Sequence, residues 1–432
     1  MIKYNFLKEG KIMKQTFTSL YYLSETLTVL AGIKEDKVIS NLCKILKTLS
    51  KKDAKEQIYP EVLEYYSQMC TELYKNNMTA SLPNYIYDLI LYDENAFSVQ
   101  CSKNKFHEIS THIIDSVKRD IKTLRLLASI EYDELIGQII KNNPNIEEIQ
   151  DSLPTYSSSF KHAGKKDIWE DFLADFVRFY AKNGTGEFAK HYSFRVDSQG
   201  NIKPVTHPDL VKLSDLKLYE SQKQKANDNL VSFLSNNPYN NVLLYGDRGT
   251  GKSSCVKALA NEYAEMGLKI IQLEKTKLPY LSNIMQQLAE NPLKFLIFID
   301  DLTFSEDDDS MGSLKAVLEG SICSQPENTV IYATSNRRHI VKETFTAREG
   351  DELHREDTID ELMALSDRFG LMITYQMPSK EKFLEITRQI ASDRGIDVSF
   401  SELEEGVEKF ALARGYRSPR IARQYLDLTY NS

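Results

Sequence analysis

Eight residues, Gly246-Asp247-Arg248-Gly249-Thr250-Gly251-Lys252-Ser253, constrain this chain more than any other stretch. They fit the pattern GxxxxGK[ST] and are flanked as that pattern demands. The apolar run Asn241–Tyr245 reads as a strand before them, and Lys252–Met266 as a helix after them. Glycines let the backbone wrap phosphate oxygens, and the first amides of the helix add donors and a favourable dipole. In such a loop Lys252 reaches the β- and γ-phosphates of a nucleotide, and the Ser253 hydroxyl ligates Mg2+. We take Gly246, Asp247, Arg248, Gly249, Thr250, Gly251, Lys252, Ser253 and the adjoining Ser254 as candidate ATP-binding residues. An ordinary glycine-rich turn between strand and helix is the competing reading.

A second signal follows about 50 residues later, at the spacing of a metal-binding strand end. The run Phe295–Ile299 (FLIFI) leads into Asp300-Asp301. A carboxylate at the end of a buried strand can hold Mg2+ through water, the role assigned to Asp300, with Ser253 as the other metal residue. Asp301 is then placed to polarise an attacking water. Two acids that merely cap the next helix are the alternative. The run Glu306-Asp307-Asp308-Asp309 reads as a solvated loop or helix cap.

Around these motifs NVLLY, KIIQL (Lys269–Leu273), FLIFI, TVIYAT (Thr329–Thr334) and LMITY (Leu371–Tyr375) alternate with helical stretches. Short apolar strands alternating with helices predict a five-stranded parallel sheet covered on both faces. After Met377-Pro378 the pattern predicts about three short helices. The first 150 residues read as amphipathic helices. In Ile114–Ala128, for example, Ile114, Val117, Ile121, Leu124 and Ala128 share one face. Similar patterns occur around Leu20–Leu30, Val38–Leu49, Val62–Leu73 and Tyr132–Ile140, with Pro83-Asn84 and Asn143-Pro144-Asn145 as breakers. Between the two regions a helix, Ile168–Tyr180, precedes a hairpin of Phe188–Val196 and Ile202–Val205. The expected division is 1–150 helical, 151–205 helix plus hairpin linker, 206–377 α/β nucleotide-binding core and 378–432 helical lid.

Charge narrows the function classes. With 54 Lys+Arg against 62 Asp+Glu the formal charge is -8, which argues against coating nucleic acid or a membrane by bulk charge. The five cysteines lie far apart with no CxxC pair, so neither a disulfide framework nor a zinc site is expected. The charged start MIKYNFLKEGKIMKQ lacks the apolar core of a secretory signal, and no apolar run approaches a membrane span. A soluble, cytoplasmic protein without a membrane partner is expected.

Taken together, NGTGEFAKHYSF, VTHPDLVKLSDL, NNVLLYGDRGTGKSS, FIDDLTF, IYATSNRRH, LSDRFGL and RGYRSPRIARQ resemble the AAA+ superfamily. More narrowly, they resemble the bacterial ATPases of domain of unknown function family 815, over roughly Lys182 to Thr429. The resemblance implies a P-loop AAA+ core with a helical lid, ATP and Mg2+ as cofactors, and four candidate catalytic residues: Asp301, Asn336, Arg368 and Arg420. Asn336 stands at the polar sensor position after the fourth core strand, with Arg337, Arg338 and His339 following. Arg368 stands where an arginine finger reaches the γ-phosphate of a neighbouring subunit. Arg420, with Arg417 as the other candidate, matches the lid arginine, in a helix that also carries Arg414 and Arg423. Leu218 and Tyr219 fall where AAA+ proteins meet adenine, although structural packing is the favoured reading of both. One departure is Asp301, because most AAA+ proteins carry Glu there. Asp is one methylene shorter, which leaves the turnover rate open. Thr344–Asp360 reads as an exposed acidic loop.

The leading expectation is an ATP-hydrolysing AAA+ homo-oligomer that remodels or positions an unidentified macromolecular client, a protein or, as the lesser reading, a nucleic acid. A nucleotide-dependent switch with little turnover is the alternative. A DNA-handling ATPase is a third reading, weakened by the acidic charge.

Overall fold

The protein is described from a computed structural model, which covers residues 16–51, 59–142, 144–160, 169–302, 310–318, 325–336 and 368–430. The chain forms two compact units, Met1–Ala189 and Lys190–Ser432.

The first unit is helical: α1 (Phe17–Glu25), α2 (Lys37–Leu49), α3 (Tyr59–Asn76), α4 (Leu82–Tyr92), α5 (Ala96–Ser102), α6 (Thr111–Ala128), α7 (Tyr132–Asn142) and α8 (Leu173–Asn183). Helix α2 shows how sequence sets an element. Asp36 caps it, accepting from the amides of Val38 and Ile39 at 2.9 and 3.2 Å, and Val38, Leu42, Ile45 and Leu46 are fully buried at helical spacing. On α6 the expected face is buried at Val117, Ile121, Leu124 and Ala128. The same helix buries Asp120, whose carboxylate accepts from the amides of Thr28 and Leu30, each at 3.0 Å. Those two bonds satisfy a charge that burial would otherwise penalise. The expected breaker Pro83-Asn84 instead opens α4, with Ser81 capping the amide of Asn84. A proline in the first helical turn forfeits no hydrogen bond, because its missing N–H has no partner there. Four cysteines, Cys43, Cys70, Cys101 and Cys255, are buried free thiols.

Helix α9 (Gly186–Lys190) precedes the second unit, which is built on one seven-stranded, mostly parallel sheet. Its strands are β1 (Ser193–Val196), β2 (Ile202–Pro204), β3 (Val242–Gly246), β4 (Lys269–Leu273), β5 (Phe295–Ile299), β6 (Thr329–Ser335) and β7 (Leu371–Tyr375), in the order β2-β1-β4-β5-β6-β3-β7. The five expected strands form the parallel centre. The expectation of five strands is corrected by the hairpin, which joins the sheet: β1 runs parallel to β4, with Phe194 opposite Ile271, and β2 closes that edge antiparallel. Burial of Phe194 and Val196 on either side of exposed Arg195 supplies the reason. The first hairpin strand is also shorter than expected, because Phe188 lies in α9. Every residue of β5 and β6 is buried, as their apolar runs require.

Helices α10 (Glu220–Leu234), α11 (Lys252–Tyr263), α12 (Leu281–Ala289) and α13 (Ser310–Leu318) belong to this sheet region. The chain ends in α14 (Lys380–Asp393), α15 (Phe400–Arg414) and α16 (Pro419–Tyr430), which share a core of Phe383, Ile386, Leu403, Val407, Ile421 and Leu426. Among the described residues no helix is long and apolar enough to cross a membrane.

Candidate functional site

The glycine-rich loop leaves β3 at Gly246, whose φ of 129° lies outside the range of other residues. A Cβ there would stand 1.9 Å from the Tyr375 carbonyl, so glycine alone lets the ends of β3 and β7 meet. The chain then turns under its own hydrogen bonds. The Asp247 amide donates to Tyr375 O at 2.9 Å, and Thr250 Oγ1 donates to Asp247 O at 2.8 Å. Gly251, in the left-handed region, delivers Lys252 as the first residue of α11. Lys252 is only 5% exposed, and its ammonium donates to the carbonyls of Gly246 at 2.9 Å and Asp247 at 2.7 Å. Burial pushes its pKa down to about 8, against the pull of Asp247, Asp301 and Asp300, with Arg420 adding to the depression.

The paired acids come off β5, and β6 lies between β5 and β3. Residues at the end of β6 are therefore wedged between loop and acids. Thr334 Oγ1 donates to Asp300 Oδ1 at 2.7 Å and accepts from the Asp301 amide at 3.0 Å. Ser253 Oγ donates to the same Asp300 oxygen at 2.6 Å, and Asn336 Nδ2 donates to Asp301 Oδ1 at 2.5 Å. Asp301 has φ 55°, a left-handed conformation that Asp tolerates far better than most side chains. The adjoining hydroxyl and carboxylate of Ser253 and Asp300 are hard oxygen donors of the kind Mg2+ prefers, so the residues fit that ion.

Loop, acids and lid enclose a cleft of about 650 Å³. The lid contributes Arg420, whose amide donates to Gly249 O at 3.3 Å, and Arg423. A Cβ on Gly249 would meet Ser418 Oγ at 2.7 Å, so a glycine is needed where lid and loop touch. The cleft is also lined by Leu218, Tyr219, Ile390, Gln424 and Asp427. Leu218 and Tyr219 both take positive φ, 71° and 66°, a strained pair held by Lys223 Nζ on Leu216 O at 2.7 Å and Tyr219 OH on Gln376 O at 2.5 Å. Tyr219 also packs on Tyr375, ring centroids 4.9 Å apart, as the packing reading of this residue expects.

Of the residues singled out from sequence, Arg248 to Ser254, Asp300, Asp301, Asn336 and Arg420 line the cleft together, and Gly246 and Asp247 form the loop behind it. Arg417 does not line it. Its guanidinium instead makes a bidentate pair with Glu408 of α15. Exposed Arg368 precedes β7 at the end of the sheet opposite the loop, since Leu371 pairs with Val242 and Tyr375 with Gly246. The residues Arg337, Arg338, His339, Glu306 to Asp309 and Thr344–Asp360 lie outside the described residues. Sequence reasoning missed Thr334, Gln424 and Asp427, and it named Arg423 at a spacing of three from Arg420 without placing it in the site. Nothing local distinguishes Thr334.

Fold and site together define an α/β protein whose phosphate-type loop, paired acids and lid arginine meet in one cleft. A family profile described as Protein of unknown function (DUF815) matches residues 188–432, and the chain belongs to that family. No curated protein matches the chain. Among solved structures it is similar to the RuvB Holliday junction branch migration motor of Thermotoga maritima, at 13% identity and a TM-score of 0.31, over 50% of this chain and 72% of that one. A point variant of the same motor gives 14% identity and a TM-score of 0.32 over the same shares. Likeness this slight bears no functional weight.

Proposed function

We propose that the chain is an AAA+ ATPase: it binds ATP with Mg2+ in the cleft, hydrolyses it to ADP and phosphate, and works as a homo-oligomer on a macromolecular client. The observation that carries this reading is the convergence of Lys252, Ser253, Asp300, Asp301, Asn336 and Arg420 on one cleft from the loop, β5, β6 and the lid.

On this reading the amides of Gly249 to Ser253 cradle the phosphates, and Lys252 leaves its two carbonyl acceptors for the β- and γ-phosphates. Ser253 and Asp300 would hold Mg2+, which when bound neutralises developing charge on the phosphates. Asp301 accepts a proton from, or orients, the attacking water, and Asn336 aligns that carboxylate. Arg420 stabilises charge on the γ-phosphate from the lid. Arg368, at the far end of its own sheet, serves the cleft of an adjacent subunit. Leu218 and Tyr219, which line the same cleft, meet the adenine ring.

A slow nucleotide switch is favoured by one observation: Asp301 is both short and engaged by Asn336 at 2.5 Å. Titration of ATP and measurement of phosphate release with the wild-type chain and Lys252→Ala test the reading. Binding and release by the wild type, with both lost in the variant, is expected. Equal behaviour of the two proteins would overturn the site. Binding without release would leave the switch.

A further inference from the structure

Asp247, the second residue of the loop, makes a contact that phosphate binding does not require. Its Oδ2 accepts from the Met377 amide at 2.7 Å. Pairing of β3 with β7 ends at Gly246 opposite Tyr375. Beyond that point the Asp247 amide still donates to Tyr375 O at 2.9 Å, and its carboxylate then takes up the amide two residues further along. A side chain thus extends the ladder where the backbones part. Met377 carries the last amide before the lid, because Pro378 has none and Ser379 is already the cap of α14.

The carbonyl of the same residue faces the other way. Asp247 O accepts from Lys252 Nζ at 2.7 Å and from Thr250 Oγ1 at 2.8 Å. One residue therefore joins the lysine that faces the cleft to the strand that leads into the lid. The lid touches the loop again through Arg420 N and Gly249 O. Any movement of the loop meets the lid at both of its ends.

We infer that Asp247 is a positioning residue that transmits the occupancy of the loop to the orientation of the helical lid. The inference rests on the nucleotide-binding reading above. When phosphates draw Lys252 off Asp247 O, that peptide loses its strongest donor and can rotate. The carboxylate, fixed to Met377, carries the rotation into the start of α14. What the clamp needs is an acceptor at Oδ, not a negative charge. Asparagine therefore replaces aspartate, and alanine does not.

The test uses the full chain labelled with a donor–acceptor dye pair at Gln287→Cys on α12 and Leu412→Cys on α15, both exposed, with other reactive thiols removed. Energy transfer is recorded with no nucleotide, ADP and ATP, with Mg2+ present, beside calorimetric nucleotide affinity. The wild type should change its transfer on adding ATP. Asp247→Ala should lose that change even at ATP concentrations that calorimetry shows to saturate it. Asp247→Asn should restore it. An unchanged response in the alanine variant, an asparagine variant as defective as alanine, or a wild-type lid that ignores bound ATP would each overturn the inference. If the wild type binds no ATP, the site reading itself fails, which the calorimetry reports separately. Should the alanine variant not fold, the asparagine result still decides.

Discussion

Asn336 Nδ2 lies 2.5 Å from Asp301 Oδ1, so the amide at the end of β6 holds the second acid of β5. The pair joins two strands that are adjacent in the sheet but whose site residues lie far apart in sequence. It fixes a carboxylate on a backbone turned to φ 55°. In the proposed reaction this is the group that handles water. Asp301→Asn keeps the left-handed turn and the size of the side chain but removes the base. ATP hydrolysis should fall by about 100-fold or more while ATP affinity stays near wild type. Phosphate release and calorimetry on the same preparation check both halves.

The pKa of Lys252 gives a pH dependence with a defined sign. Burial holds its pKa down to about 8 in the described state. Phosphates favour the ammonium form and raise that value. Below pH 8 the lysine is already charged, and binding takes up no proton there. Above it, a growing share of chains must recover a proton to bind. ATP affinity should therefore be flat near pH 7 and fall above pH 8, by up to about tenfold per unit. Calorimetry in buffers of different ionisation enthalpy should show uptake approaching one proton at about pH 9 and close to none at about pH 7.

Gly246→Ala tests the junction of β3 and β7. A methyl group there would stand 1.9 Å from Tyr375 O, and the positive φ adds strain. Backbone at this point is held by the whole sheet and has little room to shift. Chemical denaturation should show a loss of about 3 kcal/mol or more.

The two lid arginines should separate cleanly. Arg420 lines the cleft, so Arg420→Ala should lower kcat/KM for ATP by about tenfold or more. Arg417 is occupied by Glu408, which its guanidinium holds below the usual carboxylate range. Arg417→Ala should leave hydrolysis unchanged and cost under about 1 kcal/mol of stability, the worth of a pair near the surface. The comparison needs only steady-state rates and melting curves.

Much of the second unit was legible because its central strands are buried on both faces. Continuous apolar runs such as Phe295–Ile299 and Thr329–Thr334 coincide with β5 and β6. The loop was legible because its glycines, lysine and serine answer to a geometry that few other residues satisfy. The hairpin's place in the sheet was not, since Phe194 pairs with Ile271 across a long stretch of chain and no local pattern encodes that register. Nor could spacing separate Arg417 from Arg420, which share a residue type and a neighbourhood. Arg417 itself lies between α15 and α16, and the partner that withdraws it sits on α15. Thr334 looked like one more β-branched strand residue, and only the packing of β6 between β3 and β5 brings its hydroxyl to both acids.

The central claim, an ATPase whose cleft is completed by a second copy, is tested most directly by the ATPase rate per subunit as a function of protein concentration. Wild type and Arg368→Ala would be compared, with light scattering alongside. The account predicts a rate that rises as the chain assembles and collapses in the variant, while ATP binding by the variant persists. A rate independent of concentration and indifferent to Arg368 would contradict it.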